Sequence, residues 1–211
     1  MKLYLGCWLL ILACITPCAT GQSVHEPPSR AFGNPPVSYE PITGRQRLNW
    51  FARSTFGPQS LAAGLFTAGF GTAFNRPEEY GPHWEGYGKR YGMRFTGIST
   101  GNAMEAAVGA LWGEDPRYFR AQGESFKGRM KNVMVMTFVA RRANGDLAPA
   151  YASYIGITGN NFLSNTWRVE SESGVGDACL RTALGFAGRM GSNAFAEFWP
   201  TVTKRLFHKK H

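Results

Sequence analysis

Large side chains recur at helical spacing through the centre of this chain. From Tyr87 they fall at Tyr91, Phe95 and Ile98, then Val108 and Leu111 or Trp112, steps of three and four that put them on one helix face. Small residues form a second series, Gly88, Gly92, Gly97 and Gly101. Each glycine inside a helix costs about 1 kcal/mol against alanine. The series therefore predicts tight helix–helix packing of the small-xxx-small kind. A period of two over Tyr87, Lys89, Tyr91, Met93 and Phe95 also fits a strand of a small outer-membrane β-barrel. It fails after Phe95, where residues 99–108 are rich in Ala, Gly and Met, so a helix is expected. Glu114-Asp115-Pro116 should stop it, with Asp115 capping a new helix that begins at Pro116.

The final helix has the clearest pattern. Leu180, Leu184, Ala187, Gly191, Ala194, Phe195, Phe198 and Val202 share one face, and Pro200 is expected to kink it. The folded part opens at Thr43, with Leu48, Phe51 and Ala52 at helical spacing. Gly57-Pro58 breaks the chain, and Ser60 is a candidate cap for the uncharged stretch 61–74, read as a buried hairpin helix. Residues 127–140 fit a helix, although NVMVMTFVA (132–140) serves equally as a strand. Loops are expected at 75–82 and 169–177, with a turn at Asn144-Gly145-Asp146. The sum is an all-α fold, a glycine-rich helical bundle over residues 44–207.

The ends carry a different signal. Lys2, the apolar run 3–15 and the small triplet Ala19-Thr20-Gly21 read as a cleaved signal peptide over residues 1–21. The run is shorter than the roughly 20 residues a span requires. Ile11-Leu12-Ala13-Cys14 loosely resembles a lipobox, which leaves acylation of Cys14 open. Residues 22–43 hold Pro27, Pro28, Pro35, Pro36 and Pro41 and should form an extended, solvated leader. Residues 208–211 are a basic tail. The expected location is the periplasm or the outer membrane.

Charge and chemistry narrow the partners. Lysine and arginine number 23 against 14 acids, a formal charge of +9 from which the signal peptide removes only Lys2. An exported basic protein points to an anionic membrane surface or envelope protein, not to nucleic acid. Lys204, Arg205, Lys209 and Lys210 are the candidate lipid or anion contacts. Cys179 is the only cysteine past the leader, so neither a disulfide nor a cysteine-rich metal site is expected, and it reads as a buried core thiol. Met130, Met134 and Met136 read as core filling. No phosphate loop, zinc-protease helix or nucleophile elbow occurs, and no cofactor is expected. Two sets of acids remain. Glu105, in a stretch uncharged from Phe95 to Gly113, is either an ion-pair partner of Arg181 or Arg189 or the buried acid of a site. His83, Glu85 and Asp115 make the other candidate catalytic group.

Four stretches carry a resemblance: GYGKRYG (86–92), EDPRYFR (114–120), the glycine/asparagine segment 156–165, and EFWPTVTKRLF (197–207). With these in the same order, the chain resembles a family of exported bacterial proteins of uncharacterised activity. The resemblance implies an exported helical protein and says nothing of mechanism. The expected function is a non-enzymatic envelope protein associating with a membrane surface or another envelope component. The alternatives are a periplasmic hydrolase-type enzyme using Glu105 or the His83/Glu85/Asp115 group, and the small barrel.

Overall fold

The structure, a computed structural model, describes residues 39–121 and 124–207, with side chains as far as Thr203. The signal peptide, Cys14, the leader up to residue 38, Lys209 and Lys210 lie outside the described residues. So do the side chains of Lys204 and Arg205.

Local signals set most helix ends. Helix α1 (Gly44–Phe56) starts in a capping box: the Thr43 hydroxyl accepts from the Gln46 amide, and the Gln46 side chain accepts from the Thr43 amide. Helix α2 (Pro58–Ala73) begins at the proline itself, whose missing N–H is no loss at a first helical position. Ser60 is therefore not its cap. Helix α3 (Trp84–Trp112) runs for 29 residues and ends at Gly113, with the left-handed φ of 69° that glycine adopts without a Cβ clash. Ser125 caps α4 (Phe126–Phe138) by accepting from the Gly128 amide. Helix α5 (Tyr151–Tyr154), a π-helical turn (Ile155–Gly159) and α6 (Asn160–Leu163) then run on from one another, and α7 (Val175–Phe207) closes the fold with Pro200 inside it.

The fold is predominantly helical, with 75% of the described residues in helices and 6% in strands, which rules out the barrel. The alternation at 87–95 lies inside α3. The departure from an all-α fold is a small antiparallel sheet in the order β1 (Glu114–Asp115), β2 (Val139–Arg142), β3 (Leu147–Pro149). The ambiguous segment splits at Val139, helix before it and strand after it. Residues 116–121 have no regular structure, so Asp115 caps nothing.

The larger correction concerns which side chains face inward. In α1 the buried residues are Arg47 and Thr55, while Leu48 is 68% exposed. In α3 they are Gly86, Arg90, Gly97, Glu105 and Gly109, and the aromatics at 87, 91 and 95 are only half-buried. In α7 the apolar face read from the sequence reaches solvent at Leu180, Ala187, Gly191 and Val202. Its inner contacts come instead every fourth residue from Arg181, Gly185, Arg189, Asn193 and Glu197. Helix α2 buries only Gly64 and Ala68, and the ring series Phe66–Phe70–Phe74 runs along its side with Phe66 and Phe74 exposed. It is half-covered, not a buried hairpin helix. Met130 and Met134 are also exposed, leaving Met136 alone of the three methionines as core filler, and Cys179 is exposed.

Polar residues sit inside because glycine makes room for them. A Cβ at Gly86 would collide with the carbonyl oxygens of Tyr80 and Gly81 and lie 2.7 Å from Arg90 Nη1. At Gly109 it would lie 2.6 Å from Arg47 Nη1. Gly97 and Gly101 pack against Asn160, at 3.8 and 3.5 Å from its Nδ2, whereas Gly88 and Gly92 face open space. The predicted packing face thus divides, with its second half used within the fold. Substitution should separate these roles. Gly88→Ala and Gly92→Ala are each expected to raise stability by about 0.5–1 kcal/mol through helix propensity, and Gly86→Ala to lower it by about 1–3 kcal/mol through overpacking. Urea unfolding curves would check the order.

Candidate functional site

Glu105 and Asp115, which sequence reasoning singled out, and two acids it missed lie where the end of α3, the sheet and α7 meet. Glu105 Oε1 accepts from Arg189 Nη1 at 2.8 Å, so of the two arginines considered Arg189 is the partner. Two residues after α3 ends, Glu114 is 2% exposed. Its Oε2 accepts from the Ala152 amide at 2.9 Å, an otherwise unmatched donor in the first turn of α5. Its carbonyl accepts from Arg47 Nη2 at 2.7 Å. Glu105, Glu114, Asp115, Ser153 and Arg189 line one cleft that is too narrow to admit a water molecule. Glu114 Oε1, Ser153 Oγ and Arg189 Nε have no hydrogen-bond partner within the protein. Three carboxylates line this cleft, but no space lies between them for a reacting group.

Asp115 is held from three sides. Its carboxylate accepts from Arg117 Nη2 at 2.6 Å and from Nε at 2.9 and 3.0 Å, from the Arg117 amide at 3.0 Å, and from the Tyr39 hydroxyl at 3.1 Å. An aspartate binding the amide two residues on forms a local turn instead of a helix start. Tyr39, which lies within the predicted solvated leader, is thereby docked on the fold. Its ring meets Phe119 edge-on at 5.9 Å, and Arg141 lies over it at 5.8 Å. Burial, then the charge of Asp115, pushes its phenol up to about 12.

Glu197 is wholly buried and was not foreseen. It accepts from Tyr118 Oη at 2.7 Å, Arg129 Nε at 2.8 Å and the Ala121 amide at 3.1 Å. Its carbonyl accepts from Arg120 Nη2 and Arg129 Nη2. Burial first, then the hydrogen bond to Glu197, pushes the Tyr118 phenol above its usual range. Asn132 donates to Tyr118 Oη and to the Phe119 carbonyl. The motifs EDPRYFR and EFWP are thus two halves of one cluster, and an acid inside an aromatic helical run was the available signal. Arg90 makes a cluster of another kind. Its guanidinium donates to the carbonyls of Arg76, Pro77 and Gly81, each at 2.7 Å, with no carboxylate among these partners.

The second candidate group is not assembled. His83 and Glu85 are exposed at the start of α3, where Glu85 pairs with Lys89 at 2.6 Å. Asp115 follows the other end of that helix, about 43 Å away at roughly 1.5 Å per residue. Among the described residues, no three His, Cys, Asp or Glu side chains are disposed to hold a metal ion. No protein family, curated protein or solved structure matches the chain.

Every carboxylate in the cluster acts on the protein's own donors, which makes the cluster a tie between elements. Removing either partner of Glu105–Arg189 leaves the other charge buried and is expected to cost about 3–5 kcal/mol. The double variant Glu105→Leu/Arg189→Met should lose less than the two single changes added together, as read from a denaturant double-mutant cycle. The Tyr39 phenol stays protonated in the fold above its ordinary value of 10. Folding therefore favours the proton-bound form there, and stability falls as pH rises from 10 through about 12. Spectrophotometric titration should show a late tyrosine that Tyr39→Phe removes.

Proposed function

We propose that this chain is a non-enzymatic exported envelope protein that associates with a membrane surface. One observation carries the reading: charged side chains are turned inward while large apolar ones are turned outward. Glu105, Glu114, Asp115, Glu197, Arg47 and Arg90 are all less than a tenth exposed. Trp84 is 85% exposed, Leu111 83%, Phe126 68% and Phe74 62%. Water-facing proteins seldom leave so much apolar surface uncovered unless something else covers it.

The arrangement matches what a poorly polar surrounding demands. There, backbone and ionic groups must find partners within the chain, and apolar side chains lose nothing by facing out. No helix among the described residues is long and apolar enough to cross a membrane. The proposed contact is therefore at the bilayer surface, with the formal charge of +9 drawing the protein to anionic headgroups. The signal-peptide pattern of residues 1–21 supports export.

The enzyme reading loses its support in the same geometry. Glu105 is tied to Arg189, and His83 and Glu85 stand far from Asp115. The test is co-sedimentation of the purified protein with phosphatidylglycerol and phosphatidylcholine vesicles at low and high salt. Binding to the anionic vesicles, weakened but not abolished by salt, is expected. Failure to bind either kind would overturn the proposal.

A further inference from the structure

Helix α2 has no charged face. From Pro58 to Asn75 the chain carries no charged residue, and within the helix the only polar side chains beyond Gln59 and Ser60 in the first turn are Thr67 and Thr72. Both hydroxyls are turned back on the helix itself. Thr67 donates to the carbonyls of Ala63 and Gly64 at 2.9 and 3.1 Å, and Thr72 donates to that of Ala68 at 2.8 Å. A helix that is apolar all round is ordinarily enclosed by its own fold. This one buries only Gly64 and Ala68.

The covered side is narrow and the open side is continuous. Gly64 and Gly71 bring α2 against α3, where a Cβ would lie 2.9 Å from the Tyr91 ring and 3.0 Å from Arg90 Cδ. The remaining sides carry Leu65, Phe66 and Phe74, exposed by 51, 42 and 62%. Phe70 lies between the two phenylalanines, its ring 6.2 Å from Phe66 and 4.7 Å from Phe74. From α3 the Tyr87 hydroxyl donates to the Leu65 carbonyl at 3.3 Å, and the exposed Trp84 meets the Tyr87 ring edge-on at 5.6 Å. Rings of this kind, apolar in body and polar at the tip, border a lipid layer.

We infer that α2 is the element that enters the acyl region of a lipid layer. Its lack of hydrogen-bonding groups selects the occupant. A protein interface carries roughly one hydrogen bond per 100–200 Å², and beyond its first turn α2 offers no charge and no free side-chain donor with which to make them. Acyl chains require neither. Sixteen residues span about 24 Å, short of the roughly 30 Å of a bilayer core, so α2 lies within one leaflet instead of crossing. The inference rests on the membrane-surface reading. It names the surface that performs the binding and assigns to α2 the part that salt does not remove.

The test is co-sedimentation with phosphatidylglycerol vesicles at high salt, comparing wild type with Leu65→Glu/Phe66→Glu. Leu180→Glu on α7, a site 48% exposed, is the control. The α2 pair is expected to weaken partition at least about tenfold, and the control should match wild type. Because a folding defect would mimic lost binding, the second readout leaves the helix apolar. Phe66 is replaced by a photoreactive phenylalanine analogue, and illumination on vesicles should yield lipid adducts seen by mass spectrometry. If wild type binds and the analogue gives no lipid adduct, or Leu180→Glu weakens binding as much as the α2 pair, the assignment to α2 is overturned while membrane association stands on another face. If wild type binds no vesicle, both fall. If the analogue links two copies of the chain instead of lipid, a second copy covers the face and the inference is overturned.

Discussion

A guanidinium group taken out of water must place its donors on acceptors, and this fold is arranged around doing so. Arg90 finds three carbonyls in the turn before α3, Arg117 grips Asp115, Arg129 grips Glu197, and Arg189 reaches across to Glu105. The contacts of Arg90, Arg129 and Arg189 join elements distant in the chain or close a loop onto a helix, and that of Arg117 fixes the local turn after β1. The planar fork of arginine suits the role, since one side chain satisfies several acceptors in a fixed geometry. Lysine, with a point charge on a flexible stem, remains at the exposed positions 89, 127 and 131.

Glycine is the complement of these arginines. At Gly86 and Gly109 a methyl group would press on the guanidiniums of Arg90 and Arg47. Gly156 likewise lets the π-helical turn approach α3 until a Cβ would sit 2.9 Å from the Gly101 carbonyl and 3.0 Å from Glu105 Cβ. Close backbones, and not large apolar side chains, define the interior. The buried apolar set is accordingly small residues with Val133 and Met136 among them. This explains why the glycine cost in helix propensity is tolerated: it is offset by hydrogen bonds to charged groups, each worth about 1.5–3 kcal/mol.

The helical class was legible in the sequence from the spacing of its large residues and from Thr43, while Pro58, Gly113 and Ser125 mark helix ends by equally local mechanisms that the spacing alone did not single out. The inward face was legible only in part. The spacing of Tyr87, Tyr91 and Phe95 puts them on one side of the helix, and the periodicity looks the same whichever side faces in. Asp115 was misread for a similar reason. Capping and turn formation use the same aspartate chemistry, and the local partner Arg117, with the tertiary partner Tyr39 beside it, decided between them. Glu105 was legible as a charge needing a partner, and the choice of Arg189 required the fold. Glu197 was hidden because a lone acid in a helix is ordinarily a solvated one.

Inward charge and outward apolar surface are one arrangement seen from two sides. An interior made of paired ions and glycine-mediated contacts buries little apolar area, and buried ion pairs by themselves add little net stability over apolar packing. At about 25 cal/mol per Å² removed from water, the exposed rings of α2, α3 and α4 represent hydrophobic stabilisation that the folded chain alone does not realise. On the proposed reading, a bilayer surface would supply that burial without altering the interior, since the Glu105–Arg189, Asp115–Arg117 and Glu197–Arg129 pairs are already formed. It also weakens the competition of water for the exposed edges of those pairs, such as the 18% of the Arg189 side chain left uncovered. Docking would then stabilise the same network that fixes the helix positions, which ties the location of this protein to its fold.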